Sequence, residues 1–250
     1  MRINTHAIVT ALDLYYGGLS MRKTAEQLEN IFGESVSQST IHYWVHRFAT
    51  IAKEYVETLK PALSGKYHHD ETEIKVGGDG KYFWETIDED TRFIVASLLS
   101  EGRTSADARK VFTMALKKQR PTAFFTDGSF AYDDAVKVFY SRYKVDQVEW
   151  VRRVGIRARE TNNIVERLHG TLKDRTYPMR GLKNFESAQS LLDGYIINYN
   201  FCRKHQSIKM TPAQAAGLEI KGWKQIIEKA TEQKTKKEIE ASAMQVKVKA

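Results

Sequence analysis

A change of hydrophobic period near residue 65 sets what this chain can fold into. Before it, apolar residues recur every three or four positions; after it, they alternate. Three alternating segments, 66–76, 81–87 and 93–99, predict three strands, the last two joined by the polar turn Asp88-Glu89-Asp90-Thr91. A helix follows from Thr104, with Ala108, Val111, Phe112, Ala115 and Leu116 spaced as one buried stripe. Residues 122–126, after Pro121, form a short apolar run of the kind buried on both faces. A helix over 130–140, a strand over 145–151 and helices over 160–175 and 185–203 come next, and Thr211-Pro212 opens a short one, because Pro suits the first helical position. Three strands, helix, strand, helix, strand, helix: this order predicts an α/β domain with a mixed sheet flanked by helices.

The first 60 residues predict an all-α region. Ile8, Leu12 and Tyr15 share a helical face that Gly17-Gly18 ends. Ser20 caps a second helix, with Ala25, Leu28 and Ile31 along one side and Gly33 as its stop. Ser37 caps a third, with Ile41, Trp44, Val45 and Phe48 on its apolar side. Helix, turn and a Ser/Gln/Thr-rich helix start make the pattern of a helix-turn-helix. In that motif the first residues of the second helix meet base edges, here Gln38, Ser39, Thr40 and His42, with Arg47 near a phosphate. A plain three-helix bundle without DNA contact would carry the same apolar pattern. His42 and His46, one turn apart with no acidic or cysteine partner nearby, read as ordinary helix residues. The predicted boundaries are 1–48 for the helix-turn-helix domain, 49–64 for a helical linker, 65–218 for the sheet domain, and 219–250 for a Lys/Glu-rich tail, either a loose helix or disordered.

The 250 residues suffice for one full-sized core and a small accessory domain. No apolar run approaches the roughly 18 residues of a membrane span, and residues 1–11 lack the apolar stretch of a signal peptide. The single cysteine, Cys202, excludes an internal disulfide framework and a cysteine-based zinc site, and its apolar helix gives it a structural reading. An intracellular, soluble chain with no membrane partner is expected. The net charge of +8 favours a polyanionic partner, and its distribution narrows the place. Residues 142–183 hold eleven Lys+Arg against five Asp+Glu, and 221–250 hold eight Lys against four Glu, so the remainder is slightly acidic. The tail reads as a solvated face; the 142–183 segment reads as a nucleic-acid surface.

Three carboxylates stand out. Asp70 lies on the first strand, within His68-His69-Asp70-Glu71-Thr72, and Asp127 ends the buried run Ala123-Phe124-Phe125-Thr126. An unpaired carboxylate at the end of a buried strand is costly, and a metal ion would supply the missing counter-charge. Glu166 lies on the helix after the last strand. On that helix Ile164, Val165, Leu168 and Leu172 take one side, and Asn162, Glu166, His169 and Lys173 cluster on the other. An ordinary amphipathic helix with its polar face in water has the same wheel. Glu71 and Glu73 compete with Asp70, and Asp133 and Asp134 with Asp127; strand alternation puts Asp70 and Glu71 on opposite faces without saying which meets a metal. Trp84, Trp150, Phe124 and Phe125 read as core.

Asp70-Glu71-Thr72, Thr126-Asp127-Gly128-Ser129 and Asn162-Asn163-Ile164-Val165-Glu166-Arg167 together resemble the three motifs of DDE transposases, nearest to bacterial and archaeal insertion-sequence transposases of the IS-six type, with a more distant similarity to retroviral integrases. Lys173, the stretch Arg175-Thr176-Tyr177-Pro178-Met179-Arg180-Gly181, then Asn198-Tyr199-Asn200, Arg203-Lys204-His205 and Met210-Thr211-Pro212 extend the resemblance over residues 60–218 or so. It implies a ribonuclease-H-like fold and a transposase that cleaves and transfers DNA strands. Asp70, Asp127 and Glu166 would be catalytic and hold two Mg2+ ions, with Mn2+ as a substitute, Asp70 bridging them. Lys173 would hold a phosphate, with His169 and Asn162 beside it, and Arg152, Arg153, Arg157, Arg159, Arg175 and Arg180 would form a track for the DNA backbone. The implied partners are double-stranded DNA, both element ends and target, and further copies of the chain, as a homodimer or larger; the implied place is the prokaryotic cytoplasm, at the nucleoid. A DNA-binding regulator without catalysis, and a nuclease that cuts without joining, are the competing readings; the intact triad weighs against the first and the helix-turn-helix against the second.

Overall fold

The computed structural model describes residues 5–33, 35–140, 148–152, 156–176 and 182–248. In chain order the elements are helices α1 (Thr5–Tyr16), α2 (Met21–Phe32) and α3 (Gln38–Val56), strands β1 (Lys66–Val76), β2 (Asp79–Asp88) and β3 (Ile94–Ser100), helix α4 (Ser105–Lys118), strand β4 (Ala123–Thr126), helix α5 (Tyr132–Ala135) running into a 3-10 turn (Val136–Phe139), strand β5 (Glu149–Arg152), and helices α6 (Ile156–Thr176), α7 (Phe185–Phe201), α8 (Pro212–Ala215) and α9 (Gly222–Val248). They form two compact units, one of residues 60–189 and 203–219, the other of 1–59, 190–202 and 220–250.

The first unit is built on a mixed sheet in the order β3-β2-β1-β4-β5. Strands β1, β2 and β3 run antiparallel, and β4 and β5 lie parallel to β1. Gly77 and Gly78, both at positive φ, make the two-residue turn that lets β1 reverse into β2, a conformation other residues resist. Asp88 anchors the next turn: it accepts from the Ser64 hydroxyl, the Gly65 N–H and both the N–H and hydroxyl of Thr91. On one face of the sheet, Tyr67, Trp84 and Phe124 pack under Ala108, Val111, Phe112 and Ala115 of α4, the predicted stripe, and under Tyr132 and Phe139. The other face receives α6, which packs on β1 and β2 and buries Val165, Leu168 and Leu172. This is the ribonuclease-H-like arrangement expected from the order of elements. The helix expected over 130–140 is instead a short α-helical turn tightened into a 3-10 turn, and the described part of the last strand is shorter than predicted.

The second unit is all helical. Ser20 and Ser37 cap α2 and α3 as expected, accepting from the N–H groups of Lys23 and Thr40, and Gly33 ends α2 in the left-handed conformation. Ile41, Trp44 and Val45 are buried, but Ile31, expected on the apolar stripe of α2, is exposed. The helical continuation expected after residue 48 is part of α3, which runs to Val56 with Ala49 and Ala52 buried. The tail departs most from expectation. Residues 222–248 form α9, and Trp223, Ile226, Ile227 and Ala230 are buried in the helical unit, with Trp223 stacked on Tyr16 at 5.2 Å. Gly194 lies in the same unit, and a Cβ there would collide with the Tyr16 hydroxyl.

Candidate active site

The parallel ladder decides where the two aspartates fall. Lys66 pairs with Ala123, Tyr67 with Phe124 and His68 with Phe125. β4 ends at Thr126, and Asp127 follows directly past it, near enough to Asp70 for its charge to act on that carboxylate. Cross-strand pairing puts Glu85 of β2 opposite Asp70, on the same face of the sheet. His69, one residue earlier, points the other way: its ring packs on Phe112 and Tyr132, and its Nδ1 lies 2.8 Å from the Thr86 hydroxyl. The α6 helix covers the Asp70 face, with His169 Nδ1 at 3.9 Å from Asp70 Oδ2 and Nε2 at 3.5 Å from Glu85 Oε2. Glu166 stands one turn before His169 and is exposed, so the helix face that reaches Asp70 also carries Glu166 at its edge.

Geometry separates the rivals. Glu71 faces the α4 side, where the Tyr132 hydroxyl donates to it and Arg103 pairs with it. Glu73 lies exposed toward the β1–β2 turn. Asp133 pairs with Arg152 at 3.2 Å, and Asp134 with Arg109 and Lys137. Asp127 keeps a freer carboxylate: Oδ1 accepts the Ser129 N–H at 2.8 Å, and Arg103 stands 3.9 Å from Oδ2.

The electrostatics fit a cation-binding cleft. Burial first, then the neighbouring carboxylates of Glu71 and Asp127, raise Asp70 from 3.8 to about 7. Burial also raises Glu71, against the pull of Tyr132 and Arg103, and raises Glu85 strongly. Burial and Lys173 lower His169 to about 4, so its imidazole is neutral. An oxygen donor crowded by other carboxylates is relieved by a hard divalent cation, and the donor set is all carboxylate oxygen, which suits Mg2+. Among the described residues, no three His, Cys, Asp or Glu side chains stand close enough to make a finished metal site.

The remaining expected residues fall as follows. Lys173 is exposed on α6, while His169 and Arg175 are buried at 7% and 8% exposure and do not present their polar ends to solvent. Arg157, Arg159 and Asn162 lie on α6, but their side chains are outside the described residues, as are Arg153 and Arg180 altogether. Arg152 donates to the Gly128 carbonyl and lies over the exposed Phe130 ring at 5.1 Å. Gln38, Ser39, His42 and Arg47 are exposed along α3, with Thr40 half-buried beside Ser37; Arg47 donates to the Tyr43 hydroxyl at 2.7 Å. Sequence reasoning missed Glu85, Arg103 and Tyr132. The strand pairing that sets Glu85 opposite Asp70 was the one signal available for Glu85.

A carboxylate on one strand, a second just past the end of its parallel neighbour and a third on the helix that covers the first make the layout of a ribonuclease-H-like polynucleotidyl transferase. Residues 64–205 match the model of the DDE domain of IS240-type transposases, more than half of the chain. The chain therefore belongs to the DDE transposases, enzymes of DNA cleavage and strand transfer. Among solved structures, it is similar to the integrase catalytic core of human T-cell lymphotropic virus 2 in complex with magnesium (16% identity, TM-score 0.48, covering 63% of this chain and 98% of that one). It is also similar to a chain of the simian T-cell lymphotropic virus intasome (14%, 0.49, 83% and 74%) and to the catalytic core of bovine immunodeficiency virus integrase (15%, 0.45, 61% and 93%). No curated protein matches the chain. Among the described residues no helix is long and apolar enough to cross a membrane.

Proposed function

We propose that this transposase binds the terminal repeats of its own element and that Asp70, Asp127 and Glu166 form its metal-binding triad. The observation that supports the reading is that Asp127 follows directly on β4, the parallel neighbour of β1, while α6 covers Asp70 through His169. Asp70, Asp127 and Glu166 would hold two Mg2+ ions, or Mn2+. When bound, the ions would supply Lewis-acid stabilisation of the attacking and leaving oxygens at phosphorus. The chain's own residues do the rest. The two aspartates fix where the scissile phosphate can sit, and the wall of α6 restricts it to one approach. Lys173, exposed seven residues after Glu166, holds a non-bridging phosphate oxygen of the DNA end. Arg157, Arg159, Asn162 and Arg180 extend the backbone contact, which gives affinity and salt dependence but no sequence choice. Choice of sequence falls to Gln38, Ser39, Thr40 and His42 at the start of α3, with Arg47 on a phosphate. Two ends and a target in one reaction call for at least a dimer, working at the nucleoid.

The test is strand transfer in vitro. A labelled duplex carrying the element's end is incubated with full-length protein, plasmid target and Mg2+, beside Asp127→Asn. Joined product from the wild type alone supports the triad. Equal product from the variant removes Asp127 from it, and end-binding without cleavage or joining by either protein makes the chain a regulator.

A further inference from the structure

Two buried carboxylates on β2 have opposite surroundings. Asp88, fully buried, is bonded through both oxygens. Glu85, also at 0% exposure, has neither oxygen within a hydrogen bond. The polar side chain aimed at it is His169, whose Nε2 is itself buried and without a hydrogen bond, 3.5 Å from Glu85 Oε2. A buried polar group in that condition costs free energy, and such groups call for a reason. Leu or Val would fill the same place on a β-strand at no such cost.

We propose that Glu85 and His169 are a positioning pair for Asp70, which rests on the reading of Asp70 as a metal ligand. The ring stands between the two carboxylates, with Nε2 toward Glu85 and Nδ1 toward Asp70 Oδ2. The pair is electrically neutral as a protonated Glu85 donating to Nε2 of a neutral ring. Nδ1 then carries a hydrogen that faces Asp70. Both approaches lie beyond hydrogen-bond length, and they close when the Asp70 and Glu85 carboxylates each turn toward the ring by about 0.5–1 Å. Asp70 Oδ1 already accepts the Glu71 N–H at 3.0 Å. With the ring on Oδ2, each oxygen has one protein partner and a lone pair left for a cation. His169 thus acts from beneath the site on Asp70 and not on DNA. Hydrogen-bond partners of this kind behind metal-ligating groups are worth about 10- to 100-fold in metal affinity.

The test measures Mn2+ binding to the full chain by the electron paramagnetic resonance of free Mn2+, with folding followed by circular dichroism and single-turnover strand transfer read as kcat and KM for the DNA end. Glu85→Leu should weaken Mn2+ binding about 10- to 100-fold and lower kcat with KM for DNA unchanged. Glu85→Gln, which can still donate to Nε2, should bind Mn2+ within about threefold of the wild type. Should Glu85→Leu fold poorly, Glu85→Leu with His169→Leu replaces both polar partners by apolar ones and should recover the fold. A purely structural pair would recover metal affinity with it; a positioning pair would stay weak. Asp70→Asn is the reference. If it leaves Mn2+ binding intact, the reading of Asp70 fails. If it abolishes binding while the Glu85→Leu proteins bind as wild type, the positioning pair alone is refuted. Loss in Glu85→Gln as deep as in Asp70→Asn also refutes it, since Glu85 would then be a ligand itself.

Discussion

Replacing Asp70 by Asn should stabilise the metal-free protein above neutral pH while removing its chemistry. Burial, Glu71 and Asp127 raise the Asp70 carboxyl from 3.8 to about 7. An acid with a folded-state pKa above its unfolded value holds its proton more tightly in the folded chain. The unfolded chain then binds fewer protons inside that window, and stability falls as pH rises from 3.8 to about 7. Each unit crossed costs about 1.4 kcal/mol, so the whole window costs at most about 4 kcal/mol. Going from about pH 5 to about pH 8 crosses two units of it, and the wild type loses about 3 kcal/mol that the Asn variant keeps. For a protein of this size that is about 6–12 °C in melting temperature. The assay is thermal unfolding by circular dichroism of both proteins with a chelator across that range, then with Mg2+. Mg2+ should raise the melting temperature of the wild type and leave the variant where it was, because only a ligand of the folded state stabilises. A melting-temperature gap between the two proteins that stays flat from acid to alkaline pH would refute the crowded, buried carboxylate on which this reasoning depends.

Metal loading should follow the same proton. Mn2+ affinity, followed by calorimetry in buffers of different ionisation enthalpy, should fall about tenfold per pH unit below about 7 and release about one proton per chain, with no such slope in Asp70→Asn. Gly194→Ala should lower the stability of the helical unit by about 1–3 kcal/mol in denaturant melts, because its Cβ meets both the hydroxyl and the ring of Tyr16, and Tyr16→Phe in the same chain should restore little of it, since the ring carbons stay in place. Trp223→Ala should cost about 3–5 kcal/mol and weaken binding of the element's end, since the fully buried indole stacks on Tyr16 in the unit that holds α3. Arg157→Ala with Arg159→Ala should weaken binding to every duplex alike and lower the salt slope by about two, read by fluorescence anisotropy over a salt series.

Much of the fold was legible because it rests on local signals. Ser20, Ser37 and Thr104 cap helices where the sequence put them, and the stripe from Ala108 to Ala115 meets the sheet as its spacing required. The tail was misread for a physical reason. Lysines and glutamates dominate its composition, yet Trp223, Ile226, Ile227 and Ala230 recur at i, i+3, i+4 and i+7, enough to bury one side of α9. Average polarity hid a stripe that periodicity would have revealed.

The site was legible only as far as motif and alternation reach. Alternation placed Asp70 and Glu71 on opposite faces; the position of α6, a tertiary fact, puts His169 on the Asp70 side. Glu85 lay further out of reach. A glutamate among Trp84, Thr86 and Ile87 looks like a routine polar position in a strand, and only the pairing of β2 with β1 sets it against Asp70. The same pairing explains how the cost of that carboxylate is distributed. Asp88, three residues on, has one oxygen held by the Thr91 turn and the other by Ser64 and Gly65 just before β1, whereas the polar side chain that approaches Glu85 comes from α6, far along the chain. The Asp88 partners are in place once the first strands pair. Glu85 meets His169 only once α6 has docked on the sheet, so this part of the site is completed by tertiary packing, not by either strand alone.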